Sequence, residues 1–361
     1  MTTFLIIVVG LIIVLSLFIN YYPSFGGKIT GDKLQQLKQS KNFSKGKFNN
    51  PTTTVMDTRI KTSISIMRDF IKGNPKSRPE QPIEIDKLQL HLNDEKVKIT
   101  WFGHSTLMIE IEGKILFLDP MLGKSPSPVP FGNRRFSNSL PIELEDLPMI
   151  DAVIISHDHY DHLDYGSILR LKDRVKKFFV TLGVGSHLER WGIERERIVE
   201  QDWWEQTDFG GLSFICTPAR HFSGRGLTNR NSTLWASWVI VGEQSKIYFS
   251  GDGGYGPHFK EIGDKYGPFD VTLMECGQYD ERWAPIHMIP EETVQAHLDM
   301  RGELLIPIHW AGFTLSMHDW TDPIERAIRA AEKQGVKIAT PRIGEVVNID
   351  SKDFPRTRWW R

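Results

Sequence analysis

The sequence predicts an α/β fold: two strand-rich halves with helices on their outer faces, preceded by an N-terminal membrane-spanning helix. Three features of the 361-residue chain lead there. An uncharged apolar run opens it, short β-rich runs separated by turn residues recur from Lys96 onward, and helix-periodic segments lie between the later runs.

The opening run, "FLIIVVGLIIVLSLFIN" from Phe4, carries no charge and is followed by Tyr21 and Tyr22, aromatics of the interfacial type. Some twenty residues at about 1.5 Å each reach roughly 30 Å, one bilayer core. Residues 1–22 are therefore read as an uncleaved anchor. The competing reading, a cleavable signal segment, has a small-x-small candidate at Ser24-Phe25-Gly26 but lacks a basic n-region. No Lys or Arg precedes the span, whereas Lys28, Lys33, Lys38, Lys41, Lys45 and Lys47 come after it, which predicts a single pass with the C-terminal bulk in the cytoplasm. Those lysines suit anionic headgroups or a solvated linker equally well.

Residues 23–95 read as a Lys-rich tether with one amphipathic helix. In "RIKTSISIMRDFIK", Ile60, Ile64, Met67 and Ile71 share a helical face, with Arg68 and Lys72 elsewhere. The stripe is expected to pack on its own domain; lying on a membrane surface is the alternative. "GNPKSRPEQP" then breaks structure.

Residues 96–350 read as the folded domain and 351–361 as a tail. "KVKITWFG", "STLMIEIEG" and "KILFLDP" form a meander, and "DAVIIS" is a continuous apolar strand followed by a helical "LDYGSILRLKDRV". Strand-like pieces continue through "KKFFVTL", "LSFICTP", "LWASWVIVG", "KIYFSGD", "DVTLMEC", "ELLIPIHW" and "GEVVNID", with helices at "PEETVQAHLDMRG" and "DPIERAIRAAEKQG". The net charge of −1, with no basic stripe, argues against nucleic acid as a partner. Cys216 and Cys276, each beside an apolar run, read as buried thiols rather than a disulfide framework.

Polar residues concentrate where strands stop. His157, His159, Asp161 and His162 follow "DAVIIS", His221 follows "LSFICTPAR", Asp252 follows "KIYFSG", and His309 follows "LLIPI". A loop at the end of a rigid strand is a place where side chains distant in sequence can converge. Imidazole and carboxylate without thiolate suit a first-row metal, and five His with two Asp divide naturally between two ions.

"SHDHYDHLD" with downstream "ARH", "GDGGY" and "PIHW" resembles the metallo-β-lactamase superfamily, whose fold is a four-layer αββα sandwich. "WFGHSTLMIEIEG", "DPML", "FGNRRF", "DWWE", "RHFSGRGLTNRNSTLWASW", "GPFDVTLMECGQYDERW", "HMIPEETVQAH" and "IPIHWAGFTLS" extend the likeness to the N-acylphosphatidylethanolamine-hydrolysing phospholipase D family, over about Ile99 to Ser316. The resemblance implies two Zn²⁺ per chain: His157, His159 and His221 on the first, Asp161, His162 and His309 on the second, and Asp252 bridging. It further implies that Tyr160 and His287 touch the substrate head group, that the partners are phospholipid and membrane, and that the chain forms a homodimer. His104 is expected to support a ligand from behind, while His187, His258, His297 and His318 take structural readings.

Two Zn²⁺ with Asp161, Asp252 and a hydroxide leave about +1 to face a phosphodiester of −1, and zinc brings the pKa of water to about 7. The expected reaction is hydrolysis of N-acylphosphatidylethanolamine to phosphatidic acid and an N-acylethanolamine, with Asp161, Asp252 and His287 catalytic. Trp203, Trp204, Phe222, Trp235, Trp238, Trp310 and Phe313 are candidates for an apolar entrance. The alternatives are a hydrolase of a lactone, thioester or small phosphodiester with the same metal site, and a catalytically silent metal-binding membrane protein.

Overall fold

A computed structural model describes residues 1–55, 59–90, 97–351 and 353–361. The boundary expected at residues 95/96 lies outside the described residues.

Two seven-stranded sheets make up the body. The first runs, in spatial order, Val346–Asn348, Lys98–Trp101, Leu107–Ile111, Lys114–Leu118, Ile150–Ile154, Val175–Thr181 and Ile198–Gln201. The second runs Lys337–Ile338, Gly302–Ile308, Phe269–Glu275, Lys246–Phe249, Ser237–Val241, Leu212–Thr217 and Gln206–Phe209. Central strands are apolar at nearly every position because both faces are covered. Leu107, Ile109 and Ile111 enter the core shared by the sheets, whereas Met108 between them faces the outer layer. In the second sheet Phe214 and Cys216 point inward and Ile215 outward.

Helices close the two outer faces. Tyr165–Leu171 and Gly185–Arg190 pack Ile168, Leu171 and Leu188 against Phe117, Val153 and Phe178 of the first sheet. His258–Tyr266, Pro290–Asp299 and Asp322–Gln334 bury Phe259, Val294 and Ala331 against Val239 and Leu305 of the second. Local chemistry sets their ends: Asp164 accepts from the Ser167 N–H at 2.8 Å, and Gly335 takes a left-handed φ of 67° after the last helix. The result is the αββα sandwich. The strands at Ile198–Gln201, Gln206–Phe209 and Lys337–Ile338 had no periodic signal, being two to four residues long.

Parallel pairing matters most for function. Lys114–Leu118, Ile150–Ile154 and Val175–Thr181 run parallel in the first sheet; Lys246–Phe249, Phe269–Glu275 and Gly302–Ile308 do so in the second. Within each set the carboxyl ends gather on one edge, where open α/β sheets place their ligands.

The helix Thr2–Tyr21 has a mean hydropathy of 3.0 with none of its apolar window buried, so it is long and apolar enough to cross a membrane. The segment after it is docked on the body, which corrects the tether reading. Leu37 and Phe48 are buried in the inter-sheet core, and residues 74–88 are bonded along the body through Lys76 O to Trp320 N, Asp86 N to Ile343 O and Leu88 N to Pro141 O. Lysines dominate this segment's composition, but its few apolar side chains and its backbone decide its path. The C-terminal tail is likewise docked: Trp359 and Trp360 pack on Trp310 at 5.4 and 5.5 Å, and Glu325 accepts from Trp360 and Arg361, each at 2.8 Å.

Immediately after the first helix the chain forms a docked collar. Ser24 O accepts from Arg225 Nε and Nη2 at 2.9 and 2.7 Å, Pro23 O from Trp191 at 2.9 Å, and the Gly27 N–H donates to His187 Nδ1 at 2.9 Å. A Cβ on Gly27 would sit 1.9 Å from Ser186 O, so only glycine fits.

Candidate active site

Strand ends bring the polar residues together. Lys114–Leu118 ends at Asp119, Ile150–Ile154 at the loop carrying Ser156 to His162, Lys246–Phe249 at Asp252, Phe269–Glu275 at Glu275 itself, and Gly302–Ile308 at His309. His221 arrives from the antiparallel Leu212–Thr217. Several of these turns are left-handed at non-glycine residues: His104 (φ 56°), Asp119 (41°) and His309 (64°). Such conformations cost about 1–3 kcal/mol each and persist where surrounding contacts enforce them.

Four overlapping groups of metal-capable atoms result among the described residues, each with its atoms within 4.8 Å of one another: two, His157, His159 and His221, and His104, Asp161, His162 and His309, share no residue, and Asp119 with His157 and His162, and Asp252 with Glu275, His287 and His309, overlap them. His159 Nδ1 lies 2.9 Å from His157 Nε2 and 3.3 Å from His221 Nε2. Asp252 stands between the first two groups, with Oδ2 3.9 Å from His157 and His221 and 3.0 Å from His162, and Oδ1 3.1 Å from His309.

Most of these rings are held by a further partner. Asp119 takes His162 Nδ1 at 2.6 Å together with the Ser156 N–H and hydroxyl at 2.7 and 2.5 Å. Ser156 Oγ in turn meets His157 Nδ1 at 2.9 Å, His221 Nδ1 donates to Ile286 O at 2.9 Å, and Ser105 Oγ lies 2.9 Å from His309 Nδ1. His104 Nε2 lies 2.9 Å from Asp161. For His157, His162 and His221, fixing Nδ1 leaves Nε2 aimed at Asp252, the arrangement that orients metal ligands. Asn50, from the segment read as a tether, clamps the His221 backbone by accepting from its N–H at 3.0 Å and donating to its carbonyl at 2.8 Å.

His309 Nε2 is buried without a hydrogen-bond partner, and His162 Nε2 and Asp252 Oδ1 face only ion-pair neighbours. Buried orphans of this kind are rare and call for an ion or water. A set of imidazoles and carboxylates with orphaned inward atoms fits divalent cations. Electrostatics agree: burial holds His157, His221 and His309 well below the usual histidine range, so they are neutral as ligands must be. Burial also opposes charge on His162, but Asp252, Asp161 and Asp119 outweigh it and push its pKa well up. A cation in that position would take over the role of that proton.

A cavity of about 340 Å³ opens on the cluster. His159, Asp161, Asp252, His287 and His309 line its polar side, and Ile66, Phe222, Trp283, Ile286 and Leu315 its apolar side. His287 Nδ1 bonds Glu275 at 2.8 Å, and Glu275 Oε1 also accepts from the N–H groups of Gly253 and Met288 at 2.9 and 3.1 Å. Burial lifts Glu275 to about 7 against the pull of His287. Burial lowers His287, but Glu275, Asp252 and Asp161 outweigh it and raise the ring to about 9.

Tyr160 stands apart from the cavity lining. Its hydroxyl donates to Arg225 O, and its ring stacks on the Arg225 guanidinium at 4.1 Å. Of the aromatics expected at an entrance, Phe222 alone lines the cavity; Trp203, Trp235, Trp238, Trp310 and Phe313 are buried elsewhere. Asp119, Ser156, Glu275 and Asn50 were not anticipated. The carboxylates Asp119 and Glu275 share the signal that exposed the histidines, a polar residue closing an apolar strand, but Asn50 carries none.

Residues 115–310 match the beta-lactamase superfamily domain. An uncharacterized protein of Mycobacterium tuberculosis is 41% identical over 90% of this chain and 88% of its own length. The N-acyl-phosphatidylethanolamine-hydrolyzing phospholipase D 1 of Caenorhabditis elegans is 33% identical over 68% of this chain and 74% of its own. Among solved structures, the metallo hydrolase Igni18 of Ignicoccus hospitalis shares the fold at a TM-score of 0.53 and 24% identity, covering 70% of this chain and 97% of that one. The chain belongs to the beta-lactamase superfamily, and is a metal-dependent hydrolase homologous to the phospholipases D that act on N-acylphosphatidylethanolamine.

Proposed function

We propose that this protein is a membrane-anchored phosphodiesterase that uses two zinc ions to hydrolyse N-acylphosphatidylethanolamine to phosphatidic acid and an N-acylethanolamine. The observation that carries the reading is the cavity: one wall of metal-capable and acid–base groups, the other apolar, at about 340 Å³. That volume takes a phosphodiester head group, leaving acyl chains outside in a lipid phase.

His157, His159 and His221 would hold one ion, Asp161, His162 and His309 the other, and Asp252 would bridge. When bound, the ions supply Lewis-acid stabilisation of the phosphoryl oxygens and a nucleophile from water at neutral pH. The chain's own groups do the rest. Asp119, Ser156, Ser105 and Ile286 O fix the rings, so the site needs little rearrangement as charge develops. The water oxygen bonds to phosphorus, the P–O bond to ethanolamine breaks, and the departing alkoxide needs a proton. Asp161 is held well below the carboxylate range because His162 and His104 outweigh its burial, so it stays ionised. His287 lines the cavity with Nδ1 held by Glu275 at 2.8 Å, and is the group placed to supply the proton.

The test compares zinc-loaded wild type with Asp252→Asn on N-acylphosphatidylethanolamine in mixed micelles, following both products by mass spectrometry. Joint appearance of phosphatidic acid and N-acylethanolamine with the wild type alone is expected. No turnover by a protein binding about two zincs would discard the substrate and send the search to small esters and lactones.

A further inference from the structure

Helix Ile60–Lys72 has two unlike sides. Its inner side is fastened to the cavity wall: Arg282 Nη1 donates to Asp69 at 2.8 Å and to Ser65 at 3.1 Å, Trp283 beside it lines the cavity, and so does Ile66. Opposite, at one-turn spacing, Ile60, Ile64, Met67 and Ile71 are 78, 59, 62 and 80% exposed. The stripe expected to pack on its own domain therefore has no partner in this chain among the described residues. Lys61, Arg68 and Lys72 flank it on one side.

Two further exposed apolar residues lie in loops that line the cavity or are bonded beside it. Leu227 shares a loop with Phe222, on whose ring Arg230 stacks at 3.9 Å. Phe131 lies two residues before Asn133, whose side chain bonds Thr314 O next to the cavity-lining Leu315. Isolated exposed apolar side chains are ordinary, but a helix and a loop that each also line one cavity, with a second loop bonded beside it, are not.

We infer that the outer face of helix Ile60–Lys72, with Leu227 and Phe131, is a docking rim that seats the cavity mouth in the interfacial layer of a lipid bilayer. An apolar stripe bordered by lysine and arginine is the pattern of a helix lying in that layer, with its cations at anionic headgroups. The wholly exposed apolar helix Thr2–Tyr21 of the same chain favours a bilayer over a second protein copy as the occupant. This deepens the lipid reading of the cavity: a diester head group would pass from the interface into a site whose walls already stand in it.

The test uses the full-length chain reconstituted in vesicles containing about 30% anionic lipid. Cys216 and Cys276 are buried, so an environment-sensitive fluorophore can be placed selectively at Ile64→Cys or, as a control on an exposed lysine, at Lys260→Cys. The Ile64 label should shift to the blue and be quenched by doxyl-labelled lipids, and the Lys260 label should do neither. A water-like Ile64 label in vesicles overturns the inference. So does one shielded in detergent in proportion to protein concentration, which would assign the face to a second copy. The paired variant Ile64→Asp/Ile71→Asp should lose about tenfold in turnover of vesicle-borne diester and little on a short soluble diester. Lipid contact without hydrolysis of N-acylphosphatidylethanolamine would leave the rim standing and remove the substrate; hydrolysis with a water-like label would do the reverse.

Discussion

The floor and the rim of the cavity are built on opposite principles. On the floor the rings and carboxylates are buried or partly buried and most are held by a second bond from behind, as with His162 on Asp119 and His287 on Glu275. At the rim, Ile60, Ile64 and Ile71 touch nothing that would hold them and stand in solvent. A floor of this kind is already organised before substrate arrives, which favours chemistry. A rim of this kind gains its free energy only when another apolar phase covers it.

Removing one supporting bond should show how far the floor depends on prior organisation. Asp119→Ala strips the partner from both His162 and Ser156, so zinc affinity should fall about 10–100-fold, measured by competition with a chromophoric chelator. Unchanged affinity would mean that the ions organise the floor themselves. Gly251→Ala probes the same floor through packing. A Cβ there would lie 2.7 Å from Ser156 Cβ on a backbone of φ 55°, and a loss of about 1–3 kcal/mol should appear as a lowered Tm. Asn50→Ala asks whether the segment after the anchor belongs to the floor. Losing both bonds to the His221 backbone should cost about 1–2 kcal/mol and weaken zinc binding, while leaving labels at the rim in their lipid environment.

The smallest effect is expected at the C-terminal tail. Arg361, Trp360 and Arg358 hold the Glu325 carboxyl down to about 2, overcoming its partial burial. A depressed carboxylate contributes stability above its unfolded value of about 4.3 and loses it as pH falls through the folded one. The tail should therefore loosen between about pH 4 and 2, read as a change in tryptophan emission that Glu325→Gln, having no carboxyl to titrate, abolishes. An identical acid transition in the variant would assign the tail's docking to its tryptophans alone.

The floor was legible because chemistry that cannot be apolar interrupts strands that must be. His157, Asp252 and His309 each end such a strand, and two more strand ends, Asp119 and Glu275, were there to be read in the same way. The rim was half legible. Spacing identified the stripe of Ile60, Ile64, Met67 and Ile71, but amphipathicity states only that an apolar side exists, never what covers it. Tyr160 sits inside the metal-loop motif, yet its direction depends on Arg225, sixty-five residues away. Composition misled over residues 23–95, where lysines outnumber the few side chains, Leu37 and Phe48 among them, that hold the segment down.

The collar behind the first helix has a mechanical consequence. Arg225 grips Ser24 O on one side and, through Nη1, Asp158 O and Leu163 O on the other, at 2.6 and 2.8 Å. His187 likewise joins Gly27 N–H to Asp158, which sits between His157 and His159. No slack chain separates the apolar helix from the loop of histidines, so the two are joined as a spoke is to a hub. A tilt or pull on that helix reaches the imidazoles as a displacement instead of being absorbed on the way.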